Sequence, residues 1–287
     1  MTEQTITGPD ALLNAVVDTD VDIVELGHPH TTGMPCSPNH PGFRMTLIRR
    51  HGDMVRPDGG SASNEIIVTG GHVGTHVDAL SHVSHEGKLH GGIDAQEAQR
   101  GGKFSQLGAE SIPFMLRRGL LLDVARVRGV DSLDAGQAVT EQDLRDAADA
   151  AGVTPRRGDV VVIRTGWARY FDDPQRYLGQ QDGVPGADVG AGRWLAASGI
   201  AAAGADTTAF EHIPAGKGHS VLPVQRVMLV ENGIHIIEHL DLEDASARGL
   251  TKFTFVMAPL RITGGTGSPV RPVAVVASWP APRPDTT

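Results

Sequence analysis

Short runs of apolar, mostly β-branched residues recur along the chain, and their lengths predict buried strands. Eight runs carry this prediction: residues 21–26, 65–69, 119–124, 159–164, 200–203, 234–238, 253–257 and 273–277. Strands outnumber helical segments and do not alternate with them strictly. The pattern therefore favours a mixed β/α domain over a doubly wound parallel sheet.

Helical signals are fewer. Thr140 suits the N-cap of a helix that runs to about residue 151, because acidic residues fill its first turn. Further helices are predicted at residues 188–197 and 223–231, and Pro223 suits the first turn of the latter. A peripheral helix is expected at residues 10–20. No internal repeat or linker interrupts this pattern, so we expect one domain.

Length and composition allow a single packed core. The chain has 287 residues, of which 40% are apolar and 21% charged. We assign residues 21–280 to the domain, residues 1–20 to an N-terminal extension and residues 281–287 to a tail.

Charge and cysteine content exclude several classes of partner and compartment. A formal net charge of −9 argues against nucleic acid or an anionic membrane as the main partner. The single cysteine, Cys36, permits no intrachain disulfide. The first twenty residues lack a signal-peptide pattern, and no apolar run approaches the ~20 residues of a membrane span. We therefore expect a soluble cytoplasmic protein.

One segment, GHVGTHVDALSH, concentrates groups that can bind metal or carry protons. His72, His76, Asp78 and His82 lie within it, beside glycines and β-branched residues that make a helix unfavourable. We interpret it as a glycine-rich turn after a strand, in which Gly74 lets the backbone curl so that both imidazoles point at one centre. A histidine-rich loop without function is the alternative.

Imidazole and carboxylate donors favour Zn²⁺, Mn²⁺ or Fe²⁺ over Mg²⁺. His72, His76 and Asp78 would supply three ligands and leave positions open, which is the arrangement of catalytic metal sites. His82 need not be a ligand and could serve as a proton carrier beside the metal.

The motif HVGTHVDALSH closely resembles the HxGTHxDxPxH signature of the metal-dependent cyclase family, which includes kynurenine formamidase and isatin hydrolase. Segments such as VVVIRTGW, GADTTAFE and PVQRVMLVENGIHIIEHLDL extend the resemblance over residues 20–280. It implies a swivelling β/β/α fold, and assembly as a homodimer or homotetramer.

The resemblance also implies roles for single residues. His72, His76 and Asp78 would bind Mn²⁺ or Zn²⁺, and His82 would be the catalytic acid/base. Glu238 corresponds to a second-metal ligand in kynurenine formamidase. Gln225 stands where the family often has histidine, so it would ligate the metal or contact substrate.

These parts favour a metal-dependent hydrolase that cleaves a cyclic amide or formamide C–N bond in a small molecule. A metal lowers the pKa of bound water from ~15.7 toward ~7 and polarises a carbonyl. His82 would move the proton that the leaving nitrogen needs.

Ester or lactone cleavage, or ring closure, would use the same site. An Fe²⁺ oxygenase with a His/His/carboxylate triad would form product only with dioxygen. A non-catalytic small-molecule binder would hold metal and ligand without turnover.

Overall fold

The computed structural model describes residues 21–220 and 222–277 of the chain. Fifteen strands occur among them. They are β1 Val21–Glu25, β2 Arg44–Arg49, β3 Asn64–Val68, β4 His76–Asp78, β5 Gln99–Arg100, β6 Lys103–Phe104, β7 Met115–Asp123, β8 Ala138–Val139, β9 Val160–Arg164, β10 Gly186–Ala187, β11 Ala202–Ala205, β12 His235–Glu238, β13 Lys252–Met257, β14 Gly267–Pro269 and β15 Val273–Ala277.

The helices are short. α-Helices occupy Ala95–Ala98, Val124–Val127, Glu141–Ala150, Pro174–Leu178, Val189–Ala197, Pro223–Gln225 and Glu243–Ala247. A π-helix follows at Arg226–Glu231, and single 3₁₀ turns lie at His90–Gly92, Ala109–Ser111, Trp167–Tyr170 and Gly218–Ser220. None of the helices in the described ranges is long and apolar enough to cross a membrane.

A curled nine-stranded sheet organises the domain, in the order β1-β15-β13-β7-β9-β11-β12-β4-β14. The central strands β7, β9, β11 and β12 run parallel, and the flanking strands pair antiparallel. The fold is thus a mixed α/β domain, as the sequence predicts.

Hydrophobic residues cover both faces of the central strands. On β9, Val161 and Ile163 pack with the helices, including Leu144 and Leu195, whereas Val160 and Val162 face the opposite core. Side chains alternate across a strand, so a continuous apolar run such as VVVI is required where both faces are buried.

The Glu141–Ala150 helix begins where predicted. Thr140 and Asp143 form a reciprocal capping box, and Arg128 donates two hydrogen bonds to the Asp143 carboxylate. The predicted helix at 188–197 is confirmed as Val189–Ala197. The predicted helix at 223–231 is one α-turn that continues as the π-helix.

One strand prediction is wrong in its burial. Residues 65–69 were expected to be buried, but β3 is exposed along its whole length and pairs only with β2 in a two-stranded sheet. An apolar run alone does not show what covers it. β2, β4 and β14 were not predicted, and the predicted helix at 10–20 lies outside the described residues.

Candidate metal centre

The turn between β3 and β4 curls as the glycine pattern predicts. Gly74 has φ +65°, and a Cβ there would lie 2.9 Å from His30 Nε2 and 3.0 Å from the Met34 methyl carbon. Gly267 on β14 has a related role, because a Cβ there would lie 2.5 Å from the His72 ring. Glycine at both positions leaves the room that the His72 imidazole and the turn occupy.

The sheet places two further groups beside the turn. His76 and Glu238 are directly opposed on the antiparallel strands β4 and β12, so their side chains share one face. Asp78 lies on the same face of β4, two residues after His76. The register of two strands therefore brings an imidazole and two carboxylates to one point.

The predicted ligands converge on the Asp78 carboxylate. His72 Nδ1 lies 2.8 Å from Asp78 Oδ1, and His76 Nε2 lies 3.6 Å from the same oxygen. The other ring nitrogens are already engaged, His72 Nε2 with Thr266 Oγ1 at 2.9 Å and His76 Nδ1 as a donor to the Gly74 carbonyl at 2.7 Å. These second contacts orient both rings so that the remaining nitrogen of each faces Asp78.

His82 lies against this group. Its ring stacks on that of His72 with centroids 3.9 Å apart, and His72, Asp78 and His82 have donor atoms within 4.8 Å of one another. His82 is partly exposed, whereas Asp78 is buried. It therefore stands at the solvent side of the centre.

Gln225 and Glu238 meet at the other side of the centre. Gln225 Nε2 donates to Glu238 Oε1 at 3.2 Å, while Gln225 Oε1 is buried without a hydrogen-bond partner. The Glu211 carboxylate accepts hydrogen bonds from the backbone N–H groups of Val224 and Gln225, and so holds the start of the helix that carries Gln225. Sequence reasoning missed Glu211, although it ends the GADTTAFE segment.

His239 was also missed. Its donor atom lies within 4.8 Å of those of His76 and Glu238, and these three form a second candidate metal-binding group. Consecutive strand residues normally face opposite sides, but His239 has φ +56°, which ends β12 and turns both side chains toward the centre. Strand alternation in the sequence cannot reveal this.

The proline-rich loop at residues 28–41 forms a wall of the site. His40 lies 5.4 Å from the His72 ring, centroid to centroid, and His30 Nε2 contacts the Val73 carbonyl at 3.1 Å. His28 stacks on Phe171 with ring centroids 3.7 Å apart.

Asp206 does not hold an imidazole. Its carboxylate accepts hydrogen bonds from Thr165 N, Thr165 Oγ1 and Gly166 N, so it caps the turn after β9.

Burial and neighbouring charges set the protonation of the centre. Burial lowers the pKa of His76 to about 4 and that of His82 to about 4. Burial alone would raise the pKa of Asp78, but His82, His72 and His76 hold it below its usual value. Burial, reinforced by Asp78, raises the pKa of Glu238 well above its usual range. At neutral pH the His76 and His82 imidazoles are therefore neutral, and Asp78 is ionised.

The residues fit a divalent cation. Asp78 Oδ2 and Gln225 Oε1 are buried acceptor atoms with no hydrogen-bond partner, and a buried unpaired acceptor is costly. Neutral imidazole and carboxylate donors are those that Mn²⁺ and Zn²⁺ accept. His72, His76 and Asp78 would hold the ion, with Glu238 and Gln225 beside it.

The cavity at this centre is small, about 50 Å³, and is bounded by residues from the 37–40 and 219–225 segments as well as by the histidines. Substrate pockets for small molecules usually measure ~300–1,000 Å³. The larger cleft, about 670 Å³, is lined by residues 132–135 and by part of the segment 167–183, and none of the clustered histidines lines it. We place the chemistry at the smaller cavity, because the donor groups converge there.

Comparison with known protein families shows which family the chain belongs to. A family model described as "Cyclase: Putative cyclase" matches residues 24–212. The chain belongs to the cyclase family. Among curated proteins, no sequence matches it.

Solved structures share the cyclase fold. The crystal structure of a novel cyclase has a TM-score of 0.79 and 26% identity, and the match covers 94% of this chain and 93% of that one. Isatin hydrolase A from Ralstonia solanacearum has a TM-score of 0.69 and 21% identity over 96% of this chain and 100% of that one.

A potential metal-dependent hydrolase with cyclase activity has a TM-score of 0.56 and 21% identity over 90% of this chain and 100% of that one. These likenesses confirm the cyclase-like fold that the sequence motif implied. The ligand and catalytic roles of the individual residues stay predictions.

Proposed function

We propose that this protein is a divalent-metal-dependent hydrolase that cleaves the C–N bond of a cyclic amide or formamide in a small molecule. The observation that carries the proposal is the convergence of His72, His76 and Asp78, with His82 stacked beside them. Related structures that are described as isatin hydrolases and as a metal-dependent hydrolase support it.

A bound Mn²⁺ or Zn²⁺ would acidify a water molecule and polarise the substrate carbonyl. Asp78 contributes a buried negative charge that favours the cation, and the second contacts of His72 and His76 fix their rings in place.

His82 supplies the proton transfers. Because burial lowers its pKa to about 4, its imidazole is neutral at pH 7 and can accept a proton from the attacking water. The protonated ring then returns that proton to the departing nitrogen, which is a poor leaving group without it. Positioned acid–base catalysis of this kind contributes roughly 10²–10⁴-fold.

Four variants test the proposal on a panel of formamides, isatin-like lactams and cyclic imides. His82→Ala should keep its metal while kcat falls by about 10²–10⁴-fold. His76→Ala and Asp78→Ala should lose both metal and turnover. His85→Ala is the matched control, because this histidine lies on the same loop with its side chain 47% exposed.

Elemental analysis of each variant shows whether a substitution removes the bound metal or removes only the catalytic activity. Full metal content in the His76 and Asp78 variants would overturn the ligand assignment. Full turnover in His82→Ala would overturn the acid–base assignment. Metal binding without turnover on every amide, imide and ester tested would instead indicate a binding protein.

A further inference from the structure

The cavity at the metal centre has an almost entirely polar lining. Eleven of the described residues bound it, and Leu222 is the one apolar side chain among them. The others are six histidines, two hydroxyl-bearing residues, one amide and one carboxylate. Small-molecule pockets are usually lined by hydrophobic and aromatic side chains. This lining instead offers hydrogen bonds, and none of the described residues in it supplies a phenyl, phenol or indole ring on which an aryl group could stack.

Three polar side chains of this lining are available to a ligand. Within the described ranges, the His40 ring, the His219 ring and the Thr208 hydroxyl form no hydrogen bond with another protein group. A neutral imidazole offers one N–H donor and one acceptor nitrogen, and a hydroxyl offers both functions. Water can satisfy such groups, but an aryl ring that displaces the water leaves them unpaired, which costs free energy. A ligand with several hydrogen-bonding groups replaces the water without this cost.

His40 and His219 reach the cavity from different parts of the chain. The His40 ring lies 5.4 Å from the His72 ring, centroid to centroid. His219 lies in the Gly218–Ser220 turn, shortly before the helix that carries Gln225. Neither histidine belongs to the two groups of candidate metal donors, so both can contact a substrate that is bound beside the metal.

The size of the cavity restricts the ligand further. Its volume is about 50 Å³, and one water molecule takes about 30 Å³ in the liquid. The segments 37–40 and 219–225 bound the cavity, so a substrate with a fused aromatic ring would have to displace one of them. Size and polarity therefore favour the same kind of ligand, a small one with several polar groups.

We propose that the substrate is a small, non-aromatic cyclic imide or ureide, and that His40 and His219 bind its second carbonyl or N–H group. This substrate class rests on the proposed function, because it concerns the compound that the same centre hydrolyses. Hydrolysis adds one water molecule across a ring C–N bond and leaves a carboxylate and an open-chain amide or urea. The first carbonyl faces the metal, and the imidazoles hold the polar group on the rest of the ring.

Succinimide and phthalimide provide the matched pair of substrates, since they differ only by a fused benzene ring. For each compound, kcat/KM of the Mn²⁺-loaded protein is divided by the rate constant for hydrolysis by hydroxide, which removes the difference in intrinsic reactivity. We expect the resulting ratio to be at least about 100-fold higher for succinimide, because phthalimide leaves polar groups of the lining unpaired. Hydantoin should behave like succinimide.

The histidines are tested by His40→Leu and His219→Leu, which remove the hydrogen-bonding groups and keep a side chain of comparable size. Each substitution should raise KM for hydantoin about 3–10-fold, with kcat and metal content nearly unchanged. His40→Gln, which can still donate and accept a hydrogen bond, should restore most of the loss. His85→Leu is the control, because its side chain is 47% exposed and does not line the cavity. Unchanged KM in both leucine variants would overturn the role of the two histidines.

Calorimetric titration of both imides into the Mn²⁺-loaded protein separates this inference from the proposed function. Succinimide that binds at least about 10-fold more tightly than phthalimide would support the polar site even without turnover. Phthalimide that binds equally or more tightly would overturn it. Metal-dependent hydrolysis that favours phthalimide after the correction for reactivity would also overturn the substrate class, and would leave the proposed function standing.

Discussion

Gly74→Ala tests most sharply how the fold builds the metal centre. Two costs apply. A non-glycine residue in the left-handed region costs about 1–2 kcal/mol, and φ at this position is +65°. The new methyl group would also lie 2.9 Å from His30 Nε2 and 3.0 Å from the Met34 methyl carbon, and overpacking of this kind costs about 1–3 kcal/mol.

Gly87→Ala is the matched control, because it carries only the cost of placing a non-glycine residue in the left-handed backbone region. Gly87 has φ +74° in the same region of the chain, but no atom lies within 4 Å of a Cβ built there. We expect Gly87→Ala to lose about 1–2 kcal/mol of unfolding free energy and Gly74→Ala about 2–5 kcal/mol.

Urea denaturation of the metal-free proteins measures the loss of unfolding free energy in each variant, and titration with Mn²⁺ measures the affinity of each variant for the metal. Because the turn orients His72 and His76, Gly74→Ala should also weaken Mn²⁺ binding by at least about 10-fold, while Gly87→Ala should not. If the two variants lose equal stability and bind Mn²⁺ alike, the turn at Gly74 does not position the ligands and the reasoning fails.

Three further predictions concern stability and the second donor group. Burial alone would raise the pKa of Asp143, but hydrogen bonds from Arg128 and Thr140 lower it below its usual value. The ionised carboxylate therefore stabilises the fold at pH values above its unfolded pKa of ~3.9, and this contribution disappears as the pH falls through the lower folded pKa. Asp143→Asn should cost about 1–3 kcal/mol at pH 7 and much less near pH 3 in urea unfolding. His239→Ala should weaken Mn²⁺ or Zn²⁺ binding about 10–100-fold by calorimetry, whereas His212→Ala, outside both donor groups, should not; equal affinities would remove His239 from the centre. Saturating metal at 100 times its Kd should stabilise the protein by about 2.7 kcal/mol, seen as a rise in Tm that EDTA reverses and Asp78→Ala abolishes.

The sequence predicts the central sheet because local chemistry determines it. Continuous apolar runs such as residues 160–163 are buried on both faces, and this burial needs no knowledge of the partner strand. The same signal fails at residues 65–69, since an apolar run on an exposed strand has the same composition as one in a core.

The metal centre is predictable only in part. His72, His76, Asp78 and His82 lie close in sequence, so the spacing alone indicates a shared centre. The pairing of Glu238 with His76 depends on strand register across 162 residues of chain, and only the family resemblance pointed to it.

Two other residues, in or next to the centre, could not be predicted from the sequence. His239 faces the site because of a left-handed backbone at a strand end. Glu211 acts on the site indirectly, by accepting hydrogen bonds from Val224 N and Gln225 N at the start of the helix that carries Gln225. Neither arrangement leaves a local sequence pattern.

The most direct measurement is anomalous diffraction from crystals grown with Mn²⁺. We predict a manganese peak within bonding distance of His72 Nδ1, His76 Nε2 and an Asp78 oxygen, with His82 beside it. A peak elsewhere, or none at these side chains under saturating Mn²⁺, would contradict the account of the site.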